Sequence, residues 1–225
     1  MNLGYACINM TLSSQKPKVT TNRSMIKRTF EEKGIDYAGE LGLQNSADLI
    51  KILKWNKENN VNVFRLSSEF FPWASEYKFE DLPQYLRIKT LLAGCGHYAQ
   101  RNGIRLTCHP GPFNVLTSPH EHVVQNTLTD LRIHGEIFDM MGLERTPYNK
   151  INIHCNGVYG DKQSAMDRFC KNFEKLPESV QTRLTVENDD KASMYSVKDL
   201  MYIHERIGIP IAVSYTHLTL PTRRF

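Results

Sequence analysis

The sequence predicts an α/β protein whose core is a parallel sheet. Strand-like apolar runs and helical patterns alternate strictly through six units, and nothing between successive runs reads as an antiparallel hairpin. A second observation is local: the β-branched run Leu184-Thr185-Val186 stops abruptly at Glu187-Asn188-Asp189-Asp190, as a buried parallel strand does where it leaves its sheet. Thirdly, two earlier runs stop in the same way, each on a histidine. Barrels and doubly wound sheets both gather reacting groups at the carboxyl ends of their strands, so the fold class itself points to a site.

The first strand is expected over residues 2–9, followed by a polar loop over 11–21 long enough to contact a substrate. Helical patterning covers 24–33 and again 46–58, where Leu49, Ile50, Ile52, Leu53 and Trp55 form an apolar stripe behind the capping residues Asn45 and Ser46. The second strand, 61–66, leads into Ser67-Ser68-Glu69 and the aromatic loop Phe70-Phe71-Pro72-Trp73. A helix over 81–102 is expected to turn Leu86, Leu91, Leu92 and Tyr98 inward, with Gly103 as its cap before the third strand, 104–108. Pro119 opens a helix to about 142, and the fourth strand, 150–153, ends on His154. Helices over 162–176 and 196–207 flank the fifth strand, 183–186, and a sixth strand begins at Ile209.

With 225 residues, 40% of them apolar and 23% charged, the chain suits one globular domain with a sizeable core. No run approaches the roughly 18 apolar residues that cross a bilayer, and residues 1–9 carry no signal-peptide pattern, so a cytoplasmic protein with no membrane partner is expected. Five cysteines without CxxC spacing suit reduced thiols rather than a disulfide framework or zinc knuckle. The net charge of +4 is compatible with a polyanionic partner, although Lys and Arg are scattered.

His109, His154 and Glu187 are each the first polar residue after a strand-like run, on the third, fourth and fifth units. In a parallel barrel such exits converge on one face, and two imidazoles with one carboxylate suit Zn²⁺, Mn²⁺ or Fe²⁺ better than Mg²⁺ or Ca²⁺. Taken singly, each histidine reads more plainly as an ordinary loop residue; the shared placement is what argues for metal or catalytic use. His97, His134 and His204 fall within helices, and His120 and His122 at a helix start, where surface or capping roles are expected. Arg65, Ser67 and Ser68 at the second strand exit suit phosphate contact, with a surface salt bridge as the plainer role for the arginine. Tyr5 and Asn9 are expected on one side of the first strand, though core packing accounts for Tyr5 equally well.

Five strings in order carry a resemblance: Leu-Gly-Tyr-Ala-Cys-Ile-Asn from residue 3, Phe-Arg-Leu-Ser-Ser-Glu-Phe-Phe-Pro-Trp from 64, Thr-Cys-His-Pro-Gly from 107, Ile-Asn-Ile-His from 151 and Val-Glu-Asn-Asp from 186. Over residues 2–213 the chain resembles the ultraviolet DNA damage endonuclease family. That resemblance implies a TIM-type (β/α) barrel related to endonuclease IV, here incomplete with about six of eight units. It also implies a cluster of divalent ions, typically Mn²⁺, and nicking of damaged double-stranded DNA on the 5′ side of ultraviolet photoproducts. Carried over by position, His109, His154 and Glu187 correspond to metal ligands, with Glu187 bridging two ions. Tyr5 and Asn9 match family residues near the site, and Phe113 stands where the family has an aromatic after a glutamine. This chain has Pro112 in place of that glutamine.

The family's sixth strand ends in an aspartate with a histidine three residues on; here those places hold Ser214 and His217. Residues 1–213 are expected to be a partial barrel, and 214–225 a non-native tail of the kind that read-through leaves at a truncated reading frame, so that the chain in this shortened form is expected to be inactive as a nuclease. Two other functions share the pattern: a sugar isomerase or epimerase of the xylose-isomerase-like barrel type, and a non-catalytic nucleic-acid-binding relic. Salt-dependent DNA binding separates the nuclease from the sugar enzyme.

Overall fold

The computed structural model describes residues 2–191 and 193–214. Six parallel strands form one sheet in the order of the chain: β1 (Gly4–Ala6), β2 (Val63–Leu66), β3 (Arg105–Cys108), β4 (Ile151–His154), β5 (Leu184–Glu187) and β6 (Ile211–Ala212). Such an order, each strand beside its predecessor, is that of a β/α barrel and not of a doubly wound sheet, in which the order reverses at a switch point. The helices are α1 (Met10–Ser13), α2 (Lys27–Glu58), α3 (Tyr85–Arg101), α4 (Glu121–Met140), α5 (Lys162–Phe173), α6 (Glu178–Gln181) and α7 (Val197–Ile207).

The strand register sorts side chains onto two faces. Phe64 pairs with Leu106, Cys108 with Ile151, Ile151 with Leu184 and Ile153 with Val186, so these apolar side chains share the face that the helices cover. Each such side chain removed from water contributes roughly 1.5 to 3 kcal/mol. The opposite face carries Arg65 and Thr107, then Asn152 and Thr185, and at the carboxyl edge the paired His154 and Glu187. Period-two alternation thus puts packing on one side of every strand and chemistry on the other.

Helix boundaries follow local chemistry. Ser196 and Asp199 form a reciprocal capping box at the start of α7, and Gly208 ends that helix at φ 69°. Asp161 caps α5 by accepting from the backbone N–H of Gln163 and Ser164. The two helical stretches expected over 24–33 and 46–58 lie within α2 on either side of a break at Gly34, where φ 63° and ψ −160° form a combination open essentially to glycine alone, and the second stretch reaches back to residue 35. Leu86 points to solvent rather than inward, because α3 begins at Tyr85 and turns Ile88, Leu92, Cys95 and Ala99 to the core. His134 is also placed otherwise than expected. It is buried in α4, with Nδ1 2.8 Å from the Asp130 carbonyl oxygen. None of the described helices is long and apolar enough to cross a membrane.

Candidate metal centre

His109 follows β3 directly, and His154 and Glu187 are the last residues of β4 and β5. The register pairs His154 with Glu187, so both side chains leave the sheet at one level on the non-helical face. One ligand atom from each of the three residues lies within 4.8 Å of the others. The His109 and His154 rings are 5.2 Å apart between centroids, and His109 Nε2 is 3.4 Å from Glu187 Oε2. Strand exits from three units therefore converge on one point of the non-helical face, as the shared placement at strand ends predicts.

The surroundings hold Glu187 in the charged form that ligation needs. Burial alone would raise the Glu187 carboxyl, but a hydrogen bond from His109, the charges of His109 and His154, and the Asn152 amide together hold it down to about 2, so it is ionised throughout the neutral range. His109 Nδ1 lies 3.1 Å from the Pro110 carbonyl oxygen, which directs Nε2 toward Glu187. Asp189 Oδ1 sits 3.4 Å from His154 Nδ1, the outer-carboxylate placement that orients metal-bound imidazoles. Lys150 is in phase with Asn152 and His154. Burial and then the charge of Arg105 lower its ammonium, while Glu187 opposes them. Two imidazoles and an ionised carboxylate form a donor set suited to Mn²⁺ or Zn²⁺.

The family model described as UV-endonuclease UvdE matches residues 1–224. The chain belongs to the UV-endonuclease UvdE family. It is 36% identical over 218 residues to the UV-damage endonuclease of Schizosaccharomyces pombe (strain 972 / ATCC 24843), covering 96% of this chain and 36% of that protein. It is 33% identical over 217 residues to the UV DNA damage endonuclease of Clostridium perfringens (strain 13 / Type A), covering 96% of this chain and 50% of that one. The chain thus spans between about a third and a half of the length of these two relatives. Among solved structures, SacUVDE superposes with a TM-score of 0.84 at 33% identity over 96% of this chain and 70% of that one. A D-psicose 3-epimerase from Clostridium cellulolyticum H10 superposes with a TM-score of 0.56 at 12% identity, over 79% of this chain and 62% of that one, a likeness of fold alone.

Other residues singled out in this UvdE family member lie in varied places. Arg65 is exposed on the non-helical face. Ser68 and Phe113 line one cleft of about 640 Å³ with Glu69, Glu76, Asn114 and Asp130. Phe113 is 87% exposed, on a loop held by Asn114, whose Nδ2 donates to Asp130 Oδ2 at 2.7 Å and whose carbonyl accepts from Asn156 Nδ2 at 2.9 Å. Ser67, expected at phosphate, is buried instead, and its Oγ accepts from the Glu69 N–H at 3.3 Å, which fastens the turn after β2.

Asn9 departs from the strand expected for it, while Tyr5 takes the core-packing place that was its alternative. β1 ends at Ala6 and the chain turns at Cys7, where φ is 61°, so strand alternation never reaches Asn9. Asn9 is buried and caps α1, its Oδ1 accepting from Leu12 N–H at 2.9 Å. Tyr5 pairs with Phe64 on the helix-covered face, 6.5 Å from the Trp55 ring between centroids. Its hydroxyl donates to Asn56 Oδ1 at 2.6 Å and accepts from Asn9 Nδ2 at 2.7 Å. Burial raises its phenol above the ordinary value, against the opposing pull of those two amides. Ser214 is held at the exit of β5, its N–H donating to Asn188 Oδ1 at 2.8 Å. His217 and the rest of the expected foreign tail lie outside the described residues.

Proposed function

We propose that this chain acts as a DNA repair endonuclease that nicks damaged double-stranded DNA on the 5′ side of ultraviolet photoproducts, with a divalent ion, Mn²⁺ or Zn²⁺, held by His109, His154 and Glu187. The observation that carries this reading is the meeting of two imidazoles and an ionised carboxylate at the carboxyl ends of β3, β4 and β5 in a member of the UV-endonuclease UvdE family. A divalent ion at such a site supplies water activation near neutral pH and charge stabilisation for the displaced oxygen. The chain's own residues do the rest. Glu187 brings negative charge from β5, with His109 and His154 opposite it, so ligands from three strands fix one position above the sheet. Arg65, exposed on the same face of the sheet, supports the phosphate backbone, and Ser68 lines the cleft through which that backbone would pass. Phe113, exposed on its loop, offers a stacking face to a base leaving the duplex, a step that costs least at a poorly stacked lesion. Tyr5 and Asn9 serve by fixing the turn after β1 rather than by touching the substrate.

The test uses a duplex with one photoproduct and labelled ends, incubated with the chain and Mn²⁺. Cutting on the 5′ side of the lesion, absent from the undamaged duplex and lost in Glu187→Gln, is the expected outcome, with salt-dependent DNA binding retained in the variant. DNA binding without cleavage by the unsubstituted chain favours the non-catalytic relic, and nicking by Glu187→Gln removes Glu187 from the chemistry.

A further inference from the structure

Two residues before each ligand on β4 and β5, the face that bears the ligands carries a second pair, Asn152 and Thr185. Both are buried, at 4% and 3% exposure, and neither is needed to pack the core, since their strand neighbours Ile151, Ile153, Leu184 and Val186 fill the helix-covered side. The Thr185 hydroxyl donates to Asn152 Oδ1 at 2.6 Å, and Asn152 Nδ2 donates to Glu187 Oε2. Direction in this chain of bonds is imposed by chemistry. An ionised carboxylate only accepts, so the amide must turn its NH₂ to Glu187 and its oxygen to Thr185, and the hydroxyl is the group able to donate to that oxygen.

We infer that Thr185 and Asn152 form a positioning relay that sets the rotation of the Glu187 carboxylate and thereby the affinity of the metal site. The inference rests on the reading of His109, His154 and Glu187 as ligands. Without the threonine hydroxyl, the Asn152 oxygen loses its donor, and the amide is free to flip and place oxygen against oxygen at Glu187. Without the asparagine amide, the carboxylate loses the donor that fixes its rotation from the β4 side, and more of its order must be set when the ion arrives. Outer groups of this kind change metal affinity roughly 10- to 100-fold when removed.

The experiment is calorimetric titration of the full 225-residue chain with Mn²⁺ alone, with the electron paramagnetic resonance spectrum of the bound ion and the thermal midpoint of the ion-free protein as parallel readouts. Asn152→Ala is expected to weaken Mn²⁺ binding roughly 10- to 100-fold, Thr185→Val roughly tenfold, and Thr185→Ser not at all, with an altered spectrum in the first two. Thr185→Val keeps the native shape without the hydroxyl and Thr185→Ser keeps the hydroxyl at the loss of one methyl group, so their comparison stands even if Asn152→Ala folds poorly. Equal affinity and spectrum across wild type, Thr185→Val and Thr185→Ser would overturn the relay. Failure of the wild type itself to bind Mn²⁺ or Zn²⁺ would instead overturn the metal reading on which it rests.

Discussion

Arg183 has a side chain with no solvent exposure, and all three of its guanidinium nitrogens donate hydrogen bonds. It donates to Asp139 Oδ1 at 2.7 Å, to the Ser179 carbonyl at 2.9 Å, to the Glu144 carbonyl at 3.1 Å and to the Leu143 carbonyl. A lysine keeps the charge but cannot span four acceptors in one plane. Arg183→Ala is therefore expected to cost about 3 to 5 kcal/mol, and Arg183→Lys most of that, read from the midpoint of urea unfolding. The plain sequence signals at this scale were those where polarity changes sharply. His109, His154 and Glu187 were legible because each closes an apolar run, whereas Asn152 and Thr185 sit inside such runs and pass for half-buried strand residues. His134 was misread because a histidine in a helix carries no mark of which side it faces.

At the scale of elements, α3 and α4 are joined by a contact that admits no side chain. A Cβ built on Gly96 would lie 1.8 Å from the Met141 carbonyl oxygen, a backbone atom that cannot swing aside. Gly96→Ala is expected to destabilise by about 3 kcal/mol or more, visible as a lowered thermal midpoint, while Gly94→Ala, which meets nothing within 4 Å, is close to neutral. Asp48 performs the equivalent task for the loop after α1: Arg23 Nη2 lies 2.6 Å from its carboxylate, Lys51 Nζ 2.7 Å, and the Thr20 N–H 3.1 Å. Burial pushes this carboxyl up, and those donors more than offset it, leaving it below the ordinary 3.8. A depressed folded-state value gives stability that is present above 3.8 and lost as pH falls below it. Asp48→Asn should thus cost about 2 kcal/mol at pH 7 and progressively less than that below pH 3.8, as measured by denaturation across pH. The order and kind of elements were readable from periodicity and caps, as was the end of the first helical stretch near Gly34; the reach of the second stretch back to residue 35 was not, because Asn45 and Ser46, which look like caps in sequence, lie buried inside it.

For the whole molecule, strict alternation established a parallel sheet but could not choose between barrel and doubly wound order, since that choice depends on which strands become neighbours through space. The register settles it by placing each strand beside its predecessor, and the same register divides every strand into a packing side and a chemical side. That division governs how such a gene tolerates lost or gained codons. Deleting one residue within β5, Val186 for example, shifts the remainder of the strand by half a period, so that the carboxylate of Glu187 now faces the helix layer and the Asn188 amide takes its place beside His109 and His154. One such event removes metal binding and core packing together, and the deletion is expected to yield protein that neither binds Mn²⁺ nor unfolds cooperatively. A one-residue deletion in the exposed stretch 14–17 disturbs neither face and should leave both measurements near wild type. Length changes in descendants of this chain are thus confined to its loops, and its strands can vary only by substitution.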